Sequence, residues 1–406
     1  MESDINIGAN MLKIFANKND AGTLDYNLNT HEFIYNYTAD NPISLTMPYS
    51  VKSYTSHYHL HPIFDMHMPE GYLFEMLKNL LIKEYGELND YILFSHLSKN
   101  IEGYLTYGRS THTGTVLELE DLLESQEENL FTKLVTLFLE NSAISGVQPK
   151  ILAHLHDKAT LSNKEYIVKS FGEEYPHLAE NEYFCMKALQ YAGIKTPQFW
   201  LSKNKKLFIV DKFTYKKERN DFYAFEEFCV LFELNKDKKY YGSYEQIAKA
   251  ISKISTQKRE DLKQFYKMTV MNFLLKNGDA HLKNFGILYE EGMQNRFLAP
   301  AYDVVNTLIY LEKDKPALTM FGKKVWFNKE RLMEFGRKYC LLSSIEASAD
   351  YTLCISAVRT IKDDIHSYAK KYQDFKPFAA KFIKIIDFSL HENSLKTYKE
   401  LPNGIL

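Results

Sequence analysis

The 406 residues carry 50 Lys+Arg against 52 Asp+Glu, a formal net charge of -2, so no global positive field draws the chain to nucleic acid or an anionic membrane. A hydrophobic fraction of 45% over that length is enough for two or three packed subdomains without staples, and no repeat or low-complexity tract appears. Cys185, Cys229, Cys340 and Cys354 form no C-x-x-C pair, which argues against a zinc ribbon or a thioredoxin-like site.

The opening MESDINIGANMLKIF has neither a basic n-region nor a long apolar run. No later stretch approaches the roughly 20 apolar residues of a spanning helix. With the scattered cysteines, this leads us to expect a cytoplasmic, unanchored protein. From Ile5 to Tyr107, the alternating runs HEFIYNYT and ISLTMPYS, the helical YLFEMLKNLLIKEYG and the closing EGYLTYG read as a small α+β unit, residues 1–108. A polar and then acidic connection leads to an amphipathic helix around Phe131–Glu140. Next come a glycine turn at SGVQPK, β-rich KILAHLHD and EYIVKSFG, the helix ENEYFCMKALQYAG and the hairpin FWLSKNKKLFIVDKF. This order suits an ATP-binding small lobe over 109–223. From Ala224 the pattern turns mainly helical, ending in amphipathic stretches at Ser356–Tyr372 and Pro377–Thr397, and a large lobe over 224–406 is expected.

The segment KNGDAHLKNFGILYE is the most informative, although its spacing alone suits a polar loop capping the preceding FYKMTVMNFLL helix equally well. Asp279 and Asn284 stand in the D-x-x-x-x-N spacing of a kinase catalytic loop, where the Asp takes or orients the acceptor proton and the Asn carboxamide oxygen binds magnesium. Lys283 supplies positive charge where the transferring phosphoryl becomes more negative. The following FGILYEEGMQNRFLAPAYDVVNT reads as a β-hairpin turning through Gly292 and ending on Asp303, a carboxylate placed like a kinase metal ligand. Upstream, Gly146 could bring backbone close to phosphates, although in isolation one glycine better suits a helix C-cap followed by a turn. Lys169, at the end of the β-patterned EYIVKS, sits where kinases hold the α/β-phosphates, with Glu182 or Glu180 on the next helix as its partner.

Taken in order and spacing, SGVQPK, YIVKS, ENEYFCMKALQYAGIKTP, FIVDKF, NGDAHLKNFGIL and APAYDVVNT resemble the signature set of HipA-like kinases. The first hundred residues resemble that family's small amino-terminal subdomain. The resemblance implies a two-lobed, α+β, protein-kinase-like fold, ATP and Mg2+ as cofactors, and a toxin that phosphorylates Ser or Thr of a protein, in the family an aminoacyl-tRNA synthetase. It implies Asp279 as base, Asn284 and Asp303 as metal ligands, and Lys169 and Lys150 on phosphate. The hinge segment with Asp211, Lys212 and Phe213 would bind adenine chiefly through its backbone. The implied partner is a small helix-turn-helix DNA-binding antitoxin, with DNA reached only through it. Where many relatives carry an autophosphorylated serine, this chain has Ala143, flanked by Ser142 and Ser145, of which Ser145 is the nearer to Gly146. A small-molecule phosphotransferase is disfavoured by the amino-terminal unit, and a silent corepressor scaffold by the retention of Lys169, Asp279, Asn284 and Asp303.

His57, His59, His61 and His67 in SHYHLHPIFDMH alternate as zinc ligands on a strand could, yet no cysteine or acidic cluster completes such a site. The aromatic content, 14%, lacks the basic stripe of a base-stacking platform.

Overall fold

The computed structural model describes residues 11–68, 78, 82, 89–108, 119–124, 159–162, 165–170 and 174–392. In the amino-terminal unit, β1 (Leu12–Ala16), β2 (Asn19–Asn27), β3 (Glu32–Tyr37), β4 (Tyr54–His57) and β5 (Leu105–Tyr107) pair antiparallel in the order β4-β3-β2-β1-β5. Period-2 alternation buries Phe33 and Tyr35 on one face of β3. Two helices, α1 (Pro62–Asp65) and α2 (Asp90–Leu97), lie near that face, where Phe64 meets the rings of Tyr35, Phe94 and Tyr107.

The alternating run ISLTMPYS is not a strand. It makes a tight turn bridged between Ser44 and Met47. Pro48 has no N–H to give a ladder, and the Leu45 N–H goes instead to a carboxylate of the neighbouring lobe, Glu226.

A second sheet has the order β6-β7-β9-β8, built from β6 (Ala159–Ser162), β7 (Tyr166–Ser170), β8 (Phe199–Leu201) and β9 (Leu207–Asp211). Among the described residues the helices of this part of the chain are α3 (Leu119–Glu124) and α4 (Leu178–Tyr191), the latter carrying Phe184, Cys185, Ala188 and Leu189 into the core. A ribbon of β10 (Tyr215–Lys216) and β11 (Asp221–Phe222) then leads to β12 (Ala224–Glu227), which pairs antiparallel with the hairpin of β13 (Gly286–Glu290) and β14 (Gln294–Leu298). The large helical region is thus entered by a strand. Its helices are α5 (Phe228–Leu231), α6 (Tyr244–Ile254), α7 (Lys258–Leu274), α8 (Lys329–Lys338), α9 (Ser344–Lys371) and α10 (Lys376–Glu392). Every residue of α7 from Phe265 to Leu274 is buried, so the second half of this helix is enclosed on all sides, although its first turn is exposed. Capping boxes start α6 (Ser243 with Gln246) and α9 (Ser343 with Glu346), which begins well before the expected Ser356. Among the described residues no helix is long and apolar enough to cross a membrane.

Candidate active site

Strand β7 sets Lys169 between Thr160 of β6 and Phe208 of β9. Its Nζ donates to Glu182 Oε1 at 2.6 Å and to Asp303 Oδ1 at 2.7 Å. Burial pulls an ammonium's pKa down, but the charges of Asp303 and Glu182 more than reverse this and hold the pKa of Lys169 above its ordinary value. Of the two glutamates open to it, Glu182, 1% exposed, is the partner, while Glu180 pairs with His177 Nδ1 at 3.1 Å.

The segment expected to be catalytic follows the end of α7. Lys276 turns the chain through a positive φ of 55°, and Asn277 Nδ2 bonds Asn272 Oδ1 at 2.9 Å. A side chain on Gly278 would put a Cβ 1.9 Å from Asp314 Oδ2, and the Gly278 N–H donates to Thr307 Oγ1 at 2.8 Å, so any larger residue there would have to displace the Asp314 and Thr307 side chains. Asp279 comes next, 40% exposed, accepting from the Tyr240 hydroxyl at 3.1 Å. Asn284 turns its Nδ2 to the backbone carbonyls of Asp279, at 3.0 Å, and Asp303, at 3.4 Å. That network fixes the amide orientation and leaves Oδ1 for another ligand, the atom a hard cation needs.

Asp303 has φ 58°, a left-handed conformation that Asp tolerates better than most residues and one that clusters at functional sites. Behind it Tyr302 donates to the Lys283 carbonyl at 2.7 Å and stacks on Phe213 with centroids 5.1 Å apart. The following segment is clamped to α4: Asn181 Nδ2 donates to the Asn306 carbonyl and Asn181 Oδ1 accepts from the Asn306 N–H, both at 2.9 Å. Both asparagines are fully buried. Sequence reasoning missed this clamp, and its one signal was an asparagine next to Glu182 in a helix interior.

The other expected residues fall as follows. Lys283 lies with Nζ 3.6 Å from Glu227 Oε2. Asp211 pairs with Lys217 at 3.2 Å. Lys212 faces the amino-terminal unit, donating to the Glu102 carbonyl, and burial pulls its pKa down to about 8. Gly146, Lys150, Ser142, Ser145 and the stretch Phe131–Glu140 lie outside the described residues. The four histidines do separate jobs: His57 pairs with Glu32 at 3.3 Å, His59 is exposed, His61 caps α1, and His67 Nδ1 meets the Tyr107 hydroxyl at 2.7 Å. Burial lowers the pKa of His61 to about 4 and of His67 to about 3.

A four-stranded sheet bearing a lysine paired to a helix glutamate, set against a helical lobe bearing the D-x-x-x-x-N loop and a hairpin, defines an α+β fold of the two-lobed protein-kinase type. The HipA amino-terminal domain matches residues 12–108 and the HipA-like carboxy-terminal domain matches 142–367. The chain belongs to the HipA family. It is 29% identical over 239 residues to "Putative kinase" of Haemophilus influenzae, covering 54% of this chain and 69% of that one. It is 24% identical over 367 residues to "Putative kinase Y4dM" of Sinorhizobium fredii, covering 84% and 83%. Its fold matches a chain of the Shewanella oneidensis toxin–antitoxin complex of HipA, HipB and operator DNA, with TM-score 0.67, 15% identity and coverage of 95% and 100%.

Proposed function

We propose that this chain is the toxin of a toxin–antitoxin module, a kinase that transfers the γ-phosphate of ATP to a serine or threonine of a protein. The observation that carries the reading is the ammonium of Lys169 shared by Glu182 and Asp303, with Asn284 tied to the backbone of both Asp279 and Asp303. Asp279 would accept or orient the proton of the acceptor hydroxyl. Lys169 would hold nucleotide phosphate, and Lys283 would balance charge on the transferring group. Asn284 and Asp303 fit magnesium, which when bound neutralises charge on the phosphates.

Family membership and the kinase names of the relatives support phosphoryl transfer. The complex of the Shewanella protein with HipB and operator DNA supports an antitoxin as partner, and for its being a small helix-turn-helix protein the support is the resemblance of the motifs. For the acceptor, an aminoacyl-tRNA synthetase, and for self-modification at Ser145 or Ser142, the support is the resemblance of the motifs.

The test is incubation with γ-labelled Mg-ATP and a cytoplasmic extract, followed by identification of the labelled protein. Asp279→Asn should lower transfer by about 10²–10⁴-fold. Its affinity for Mg-ATP should stay near that of the parent. A parent that binds no nucleotide, or a variant that transfers as fast as the parent, would overturn the reading.

A further inference from the structure

The catalytic carboxylate is held from outside its own loop. Tyr240 Oη donates to Asp279 Oδ1 at 3.1 Å, and His281 Nε2 lies on that oxygen's side at 3.9 Å. Among the described residues nothing donates to Oδ2. The Tyr240 ring stands edge-on to His281, centroids 5.3 Å apart at 79°, so the phenol's approach is set by packing as well as by its hydrogen bond.

The segment carrying Tyr240 is pinned at three places. Asp65 of the amino-terminal unit accepts from the Lys236 N–H at 2.8 Å, the Leu282 N–H of the catalytic loop donates to the Lys239 carbonyl at 3.0 Å, and Lys324 Nζ donates to the Tyr240 carbonyl at 3.3 Å. Such anchoring would be idle for a surface ring that merely covered the site. Tyr240 is nevertheless 42% exposed, so its removal opens no core.

We infer that Tyr240 is a positioning residue: it fixes the rotation of the Asp279 carboxylate by holding Oδ1, and so presents Oδ2 to the acceptor hydroxyl. This rests on the proposed phosphoryl transfer and adds to it a residue from a different segment of the lobe. A carboxylate free to rotate would spend much of its time with neither oxygen aligned, which slows the chemical step and leaves nucleotide binding untouched.

The experiment measures release of labelled phosphate from Mg-ATP, with water as acceptor, by the full chain and by Tyr240→Phe, Asp279→Asn and the double variant. Tyr241→Phe, at a neighbour 73% exposed, is the control. Tyr240→Phe should lower kcat about 10- to 100-fold, short of full loss of the base, with the KM for ATP within twofold. In the Asp279→Asn background the same change should do nothing further. A parental kcat in Tyr240→Phe, or an equal loss in both backgrounds, overturns the inference while phosphoryl transfer stands. A parent that binds Mg-ATP but passes its phosphate neither to water nor to any protein of a cytoplasmic extract removes the transfer reading and this inference together.

Discussion

Lys169 and Asp303 are 134 positions apart in the chain and 2.7 Å apart in space, and Glu182 takes the same ammonium at 2.6 Å. One lysine thereby ties the sheet, helix α4 and the segment after the hairpin into a single electrostatic unit. Its side chain is 13% exposed and that of Glu182 only 1%, so solvent screens the pair poorly.

Lys169→Met should therefore destabilise the fold, by up to about 3–5 kcal/mol, because the buried Glu182 carboxylate loses the ammonium that it shares with Asp303. Replacing both members, Lys169→Met with Glu182→Leu, should recover most of that loss, since the stranded charge goes too. Urea denaturation of the three proteins decides the matter. A single variant with the parental midpoint would mean that Glu182 finds solvent or another donor when the lysine is removed.

Asn181 is expected to matter for a different reason. Asn181→Leu leaves the Asn306 N–H and carbonyl unpaired in a fully buried place, at a cost of about 2–4 kcal/mol for the two groups. The released segment carries Asp303, so affinity for Mg-ATP should fall while magnesium-free nucleotide binding changes little. Thermal denaturation and nucleotide titration with and without magnesium read the two effects separately. Unchanged magnesium dependence would confine the clamp to stability.

Much of this site was legible because its residues sit in short motifs whose spacing the backbone enforces. Asp279 and Asn284 share one turn-rich loop, and the hairpin through Gly292, with φ 68°, delivers Asp303 close behind them. The partner of Lys169 was narrowed to two glutamates and no further. At about 100° per residue, Glu180 and Glu182 lie some 200° apart on a helix, so one of them faces the strand, but sequence does not say which. Asn181, beyond its odd place in a helix interior, and Tyr240 were not legible. Each works through a partner far along the chain, Asn306 and Asp279, with no periodicity to announce it. ISLTMPYS misled for the same reason, since its alternation suits a strand while Glu226, 182 positions from Ser44, claims its polar groups.

That glutamate also predicts a pH dependence. On β12, Glu226 and Glu227 point to opposite faces: Glu227 approaches Lys283 of the proposed catalytic segment, and Glu226 accepts from Ser44 Oγ at 2.8 Å, the Leu45 N–H at 2.7 Å and Tyr289 Oη at 2.6 Å. One strand therefore joins the amino-terminal unit to the site. Glu226 is fully buried, and burial outweighs the three donors to raise its pKa above the usual 4.5. A carboxyl whose folded pKa is raised contributes its stability in full below the unfolded value and loses it as pH rises through the folded one. Glu226→Gln keeps an oxygen for Leu45 and Tyr289 and offers Ser44 Oγ a donor, but has no proton to lose. The variant should accordingly gain stability relative to the parent as pH rises from 4.5, the gain levelling once Glu226 is ionised in the folded parent. Denaturation midpoints of both proteins across that range measure it, and parallel curves would show that Glu226 does not change its proton on folding.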